Sequence, residues 1–366
     1  MARDPNIAYV LLRNAHFGPR LASSVELCVR DLARYSRYAR STLVACPPVD
    51  EPFEGIEIAT IPEASLGGNL GKALGVARLL RRRGVDVALV ENHLPAAALI
   101  AAASGARVIL HSHAYETAPG GGAGAASARL KVAPLAGFAF VSEHALARFH
   151  VNFPFAHAPM RAIPNGLDMG QWSAAEPKDR SILCVGRALA DKGHLEAMAA
   201  ILPALDSRPG WTARFILSAI DREPETVQAL RARAARSEGR VRIDANLPHA
   251  DVKAAWEKAA IGIALTKTPE PFGRTALEAL AAGAALIASG LGGLAEVCGP
   301  CAVMVDPDDA GGLAAALGAV MDAPGRRAEL ARAGRERVER LFDIRTVARS
   351  MDDFIDACLG ERRPGK

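Results

Sequence analysis

The run Glu270-Pro271-Phe272-Gly273-Arg274-Thr275-Ala276-Leu277-Glu278 carries two carboxylates with seven residues between them. Pro271 and Gly273 disfavour helix at its start, whereas residues 275–282 are mostly good helix formers. The first glutamate is therefore expected on a loop and the second on a helix. The backbone N–H groups of Gly273, Arg274 and Thr275 then lie at a helix start, where unpaired donors and the helix dipole favour an anion. Upstream, Arg187 and Lys192 flank a short loop after an apolar run, with Gly193 opening the next helical pattern. Two cations beside a helix start can hold a diphosphate and stabilise the charge that develops as it leaves. Taken alone, the same cations read equally well as solvated surface charges. Joined to the glutamate pair in the same half of the chain, they describe a site for a phosphorylated, hydroxyl-rich ligand.

The elements that must position these groups follow from the hydrophobic period. Residues 7–12 form an apolar run, followed by a loop containing Phe17-Gly18-Pro19-Arg20 and an amphipathic stretch at 24–38, which reads as strand, loop, helix. Strand signals recur at 42–46, 85–90, 107–111 and 138–141, with helices at 70–83, 96–103 and 143–149. Such alternation predicts a parallel sheet covered on both faces, with ligands gathered at the C-terminal ends of its strands, in loops 17–20, 91–93 and 112–116. The Gly/Ala stretch 119–126 reads as a mobile flap.

Pro164-Asn165-Gly166 is a turn and marks a domain boundary. A second alternation follows, with strands at 182–185, 212–217, 241–243, 261–265, 285–288 and 302–305 and a helix at 193–204. Two α/β halves, 1–166 and 167–342, predict a cleft between domains. Residues 326–358 read as two helices broken near Asp343; the final segment, 343–366, is expected to pack back towards the first half, with 360–366 frayed.

A chain of 366 residues is long enough for two full cores, and 50% hydrophobic with 5% aromatic content and 33 glycines suits a helix-rich α/β protein better than a β-sandwich. A net charge of +4 does not call for nucleic acid. The six cysteines are dispersed and mostly in apolar segments, unlike a secreted disulfide framework. The first residues contain no apolar signal core, and no run approaches the length of a bilayer span. A cytoplasmic location is expected.

As a set, several pieces resemble the retaining glycosyltransferases of family 4, which have the GT-B architecture of two Rossmann-like domains facing each other across a cleft. They are Ile163-Pro164-Asn165-Gly166-Leu167-Asp168, Val185-Gly186-Arg187 with Lys192-Gly193, the pair Glu270 and Glu278, Gly292-Gly293-Leu294-Ala295-Glu296, and Val305-Asp306-Pro307-Asp308-Asp309. They cover most of residues 160–345 in the family's order. The resemblance implies an acceptor-binding first domain and a second domain that binds a nucleotide-diphosphate sugar. Arg187 and Lys192 would neutralise the diphosphate, and Glu278 would take the ribose hydroxyls. Glu270 would hold the transferred sugar, helped by backbone N–H groups at Phe272, Gly273 and Arg274, with Thr275 at the same helix start. His113 matches a histidine of the first domain that lies against the donor sugar; His111 and His93 compete for that role. Gly18 and Arg20 occupy the first loop, where the family carries paired glycines and this chain has one. Glu91-Asn92-His93 resembles a stretch of bacterial polysaccharide members, so Asn92 and His93 are acceptor or loop candidates, and Arg20 joins them as a cation of the first loop that could bind an anion.

The implied activity is transfer of a mannose- or glucose-type hexose to a lipopolysaccharide core, capsular or other surface saccharide. It requires neither metal nor cofactor and forms no covalent intermediate. A lipid-linked acceptor and the cations Arg78, Arg81, Arg82 and Arg83 beside apolar residues raise the prospect of contact with an anionic membrane at the inner face of the cell membrane. Alternatives are a phosphorylase or sucrose-type synthase on soluble sugars, and a non-catalytic nucleotide-sugar-binding subunit. Val305-Asp306-Pro307-Asp308 mimics a metal-binding Asp-x-Asp but reads better as a turn into a helix from Ala310. Cys298-Gly299-Pro300-Cys301 spells a redox pair but lacks its context and reads as structural. The glycine run 120–124 lacks the G-x-G-x-x-G spacing of a nicotinamide site.

Overall fold

The computed structural model describes residues 3–12, 15–20, 22–61 and 68–360. It divides into a first unit of Met1–Gly166 with Ile344–Lys366 and a second of Leu167–Asp343. In the first, β1 (Ile7–Val10), β2 (Thr42–Cys46), β3 (Glu57–Thr60), β4 (Val87–Glu91), β5 (Arg107–Ser112), β6 (Gly137–Phe140) and β7 (Met160–Ala162) lie in the order β3-β2-β1-β4-β5-β6-β7. All neighbours are parallel. The connections carry α1 (Ser24–Tyr35), α2 (Gly68–Arg82), α3 (Leu94–Ser104), α4 (Ala123–Val132) and α5 (Glu143–Asn152). Every residue of β1 and β4 is buried, as it must be for central strands covered on both faces, which is why they read as continuous apolar runs.

The second unit repeats the plan with β8 (Asp179–Arg187), β9 (Thr212–Ser218), β10 (Val241–Ala245), β11 (Ala259–Ala264), β12 (Ala285–Ser289) and β13 (Ala302–Val305), in the order β10-β9-β8-β11-β12-β13. Its helices are α6 (His194–Asp206), α7 (Pro224–Ala234), α8 (His249–Lys258), α9 (Arg274–Ala281), α10 (Gly293–Cys298), α11 (Ala310–Asp322) and α12 (Pro324–Leu341). Strand order reverses between β1 and β4 in one sheet and between β8 and β11 in the other. These are the points where such sheets open a crevice at their carboxyl ends.

The last helix, α13 (Ile344–Leu359), belongs to the first unit. Its apolar face, Ile344, Val347, Met351, Phe354 and Ile355, shares a core with Ile7, Tyr9 and Val29. Asp352 accepts from Ser36 Oγ at 2.6 Å and from the Arg37 N–H at 2.8 Å, which also explains why α1 stops at Tyr35 rather than running to Tyr38.

Two expectations are corrected. Residues 123–126, read as part of a flap, form the first turn of α4, because alanine is the strongest helix former and outweighs the glycines around it. Strands β3 and β7 carry too few apolar residues to be read as strands; both are sheet edges. The tail 361–366 lies outside the described residues. Among those described, no helix is long and apolar enough to cross a membrane.

Candidate functional site

Three of the residues singled out by spacing, Arg187, Lys192 and Glu270, lie on loops braced together at the ends of β8, β11 and β12. Arg187 is the last residue of β8, and a single helical turn, Ala190–Lys192, follows it. Gly193 turns the chain into α6 at φ +62°, and any Cβ there would stand 2.6 Å from Leu265 Cβ, so only glycine fits. His194 opens α6 and is buried, its Nε2 3.0 Å from the Arg187 carbonyl oxygen. Burial pulls this imidazole down to about 4 despite that hydrogen bond, so it is neutral at physiological pH and donates from Nε2. The backbone of Arg187 is thereby tied to α6.

The loop after β11 is braced against this turn. Lys267 N–H donates to the Asp191 carbonyl at 2.7 Å, and Thr268 Oγ1 donates to Asp191 Oδ2 at 3.3 Å. Lys192 Nζ forms an ion pair with the Glu270 carboxylate. Glu270 is itself held by the loop after β12: its N–H donates to Leu291 O at 3.2 Å and its carbonyl accepts from Gly293 N–H at 2.7 Å. Three strand ends are thus locked into one platform carrying Arg187, Lys192 and Glu270.

Phe272 is buried edge-on against Phe342, with ring centroids 5.9 Å apart. Gly273 takes φ +103° at the N-cap of α9, and a Cβ there would stand 2.6 Å from Leu294 Cδ1. Gly273, having no side chain, makes no N-cap hydrogen bond to this helix, whose first turn opens at Arg274 and Thr275. The Arg274 side chain turns inward instead: its Nε donates to Glu278 Oε1 at 3.0 Å, and His249 Nε2 lies 2.9 Å from the same oxygen. Burial pushes the Glu278 carboxyl up, but His249 and Arg274 outweigh it and hold it below the usual range. Glu278 is therefore a buried, charged group with one oxygen already shared by two donors, a partner set that its sequence spacing did not reveal.

In the first unit, His113 follows the end of β5, near Glu91 at the end of β4. Asn92 takes φ +53° and its side-chain oxygen accepts the His113 backbone N–H at 2.6 Å, so it orders the start of the loop after β5. His93 is buried as the N-cap of α3, its Nδ1 accepting the Ala96 N–H at 3.1 Å, which gives it a part in ordering this loop. Gly18 is demanded by packing, since a Cβ would collide with the Glu51 carbonyl oxygen. Arg20 pairs with Glu51 at 3.0 Å on an exposed surface. The sequence placed Glu91 in a site loop and a motif without giving it a role, and offered no signal for His249.

The remaining motifs resolve simply. Asp308 N–H donates to Asp306 Oδ1 at 2.9 Å, and Asp309 caps α11, which makes this stretch a turn into a helix. Cys298 and Cys301 are both buried, and burial pushes the Cys298 thiol up to about 12, far from the reactive range. Arg78, Arg81, Arg82 and Arg83 are exposed, with Arg83 paired to Glu57.

Two Rossmann-like parallel-sheet units in one chain are the GT-B class of fold, and solved structures agree. The chain is similar over 96% of its length, and 99% of the other's, to Anabaena HepE in complex with UDP and glucose, with a TM-score of 0.77 and 18% identity. Residues 179–323 match the sequence family described as glycosyl transferases group 1. Over 214 residues the chain is 35% identical to glycogen synthase of Mycobacterium tuberculosis, covering 57% of this chain and 51% of that protein. It is 25% identical over 313 residues, 78% of this chain and 80% of the other, to a GDP-mannose-dependent monoacylated α-(1-6)-phosphatidylinositol monomannoside mannosyltransferase of Corynebacterium glutamicum. The chain spans about half the length of the glycogen synthase it matches.

Proposed function

We propose that this protein is a glycosyltransferase that moves a hexose from a nucleotide-diphosphate sugar to a saccharide acceptor. The observation that carries the reading is the braced platform in which Lys192 meets Glu270, with Arg187 at the end of β8 and the glycine-led start of α9 in the same unit. It supplies positive charge for a departing diphosphate and a carboxylate for sugar hydroxyls. Arg187 and Lys192 neutralise the diphosphate, Glu270 with the N–H groups of Gly273 and Arg274 holds the sugar, and Glu278 takes ribose hydroxyls with its remaining capacity. His113 is assigned to the donor sugar by the family resemblance.

Transfer is proposed to retain configuration, the departing phosphate oxygen assisting the acceptor hydroxyl on one face. No metal is assigned, because the two cations serve the leaving group. A mannose- or glucose-type donor is favoured, in keeping with the names of the relatives. Those names widen the acceptor from a lipopolysaccharide core or capsule to a glucan or phosphoinositide glycolipid. The exposed arginines at the end of α2 suit a lipid-linked acceptor at the inner face of the membrane.

Incubating the purified protein with UDP-glucose or GDP-mannose and a panel of such acceptors, with and without EDTA, tests the reading. Transfer unaffected by EDTA, with an α-anomeric product by NMR, is the expected result. Absence of turnover with every pair would contradict it.

A further inference from the structure

Glu91 is the register partner of His111 across β4 and β5, and His113 lies two residues on, just past the end of β5. Glu91 is buried, and its Oε2 stands 2.8 Å from His113 Nε2 and 3.1 Å from His111 Nδ1. The two imidazole centroids are 4.3 Å apart. Burial pushes the Glu91 carboxyl up, but its contacts with His111 and His113 outweigh that and hold it below the usual range. An ionised carboxylate only accepts, so each nitrogen facing it must carry a proton: Nε2 of His113 and Nδ1 of His111. Asn92 adds a second hold through the His113 N–H at 2.6 Å.

We propose that Glu91 and Asn92 form a clamp that fixes the tautomer and orientation of His113, which makes Glu91 a positioning residue for sugar transfer. The proposal rests on the role assigned to His113 above. The ligand atoms of Glu91, His111 and His113 also lie within 4.8 Å of one another, a spacing that a divalent ion would accept. Both carboxylate contacts are already hydrogen bonds, so the cluster is satisfied with no ion in it, and an ion is the competing outcome of the test.

Three measurements on the full chain decide it. Imidazole 15N spectra of the wild type at neutral pH, assigned with His111→Gln and His113→Gln, should show protonated Nε2 on His113 and protonated Nδ1 on His111. Glu91→Gln keeps the shape and removes the charge. It should disturb the His113 signal and lower kcat about 10- to 100-fold with little change in donor KM, as loss of an orienting partner does. Asn92→Gly suits the left-handed backbone and removes only the side-chain contact, so it should lower kcat several-fold even where Glu91→Gln folds poorly. Unchanged tautomers in Glu91→Gln, or unchanged kcat in both variants, would overturn the clamp. So would elemental analysis finding a stoichiometric divalent ion in the wild type that His111→Gln and His113→Gln release. Pinned tautomers in a wild type that turns over no sugar nucleotide would uphold the clamp and sink the function assigned to it.

Discussion

At the scale of single residues, the platform depends on opposite charges that serve each other before they serve a ligand. Lys192 and Glu270 are paired and mostly buried, so each is held in place without substrate. Replacing Lys192 with Ala, or Glu270 with Gln, should lower kcat/KM by about 100-fold or more in a transfer assay while leaving the melting curve close to wild type. His249 acts differently. It shares Glu278 Oε1 with Arg274, and His249→Ala leaves a buried carboxylate with one donor fewer. The expected cost is about 1–3 kcal/mol in denaturant unfolding, together with a raised donor KM. Arg187, Lys192, Glu270 and Glu278 were legible because their spacing around predicted strand ends and helix starts is local. The roles of Glu91 and His249 were not, because their partners, His111 with His113 and Glu278, are brought to them by sheet register and helix packing that no local pattern encodes.

The elements explain why the site residues keep their geometry. His194 joins α6 to the end of β8 through a donor that either protonation state carries, and it is burial that keeps the ring neutral. Its pKa falls from an ordinary 6.5 to about 4 on folding, so between those values the unfolded chain binds a proton that the folded chain does not. Stability should therefore be complete above pH 6.5, decline as pH falls to about 4 and level off below. The decline is about 3 kcal/mol at about 1.4 kcal/mol per pH unit. Urea unfolding across that range should show this slope in the wild type and a weaker one in His194→Gln. Gly273→Ala tests the start of α9: a side chain at φ +103° that also meets Leu294 should cost about 1–3 kcal/mol and weaken donor binding. Most strands and helices were readable from period alone because central parallel strands are continuously apolar. Edge strands β3 and β7 escaped because burial on few positions leaves little pattern, and α4 escaped because glycine suggested pliancy where alanine made helix.

For the whole molecule, the alternation of strand and helix on either side of Pro164-Asn165-Gly166 foretold two parallel-sheet units, and the partition falls between Gly166 and Leu167. That α13 completes the first unit was suggested by the break near Asp343 but is explained only by its contacts, with Asp352 capping the end of α1 and Phe354 filling the core beneath. The second unit is proposed to bind a nucleoside diphosphate through Arg187 and Lys192. Calorimetric titration of the full chain with UDP, GDP and ADP tests it most directly, repeated on Arg187→Ala and Lys192→Ala variants shown to be folded. Saturable binding of at least one of the three nucleotides, weakened about tenfold or more in each variant, is the predicted result. Binding of none of them, or binding of equal strength in both variants, would rule out this role for the two cations.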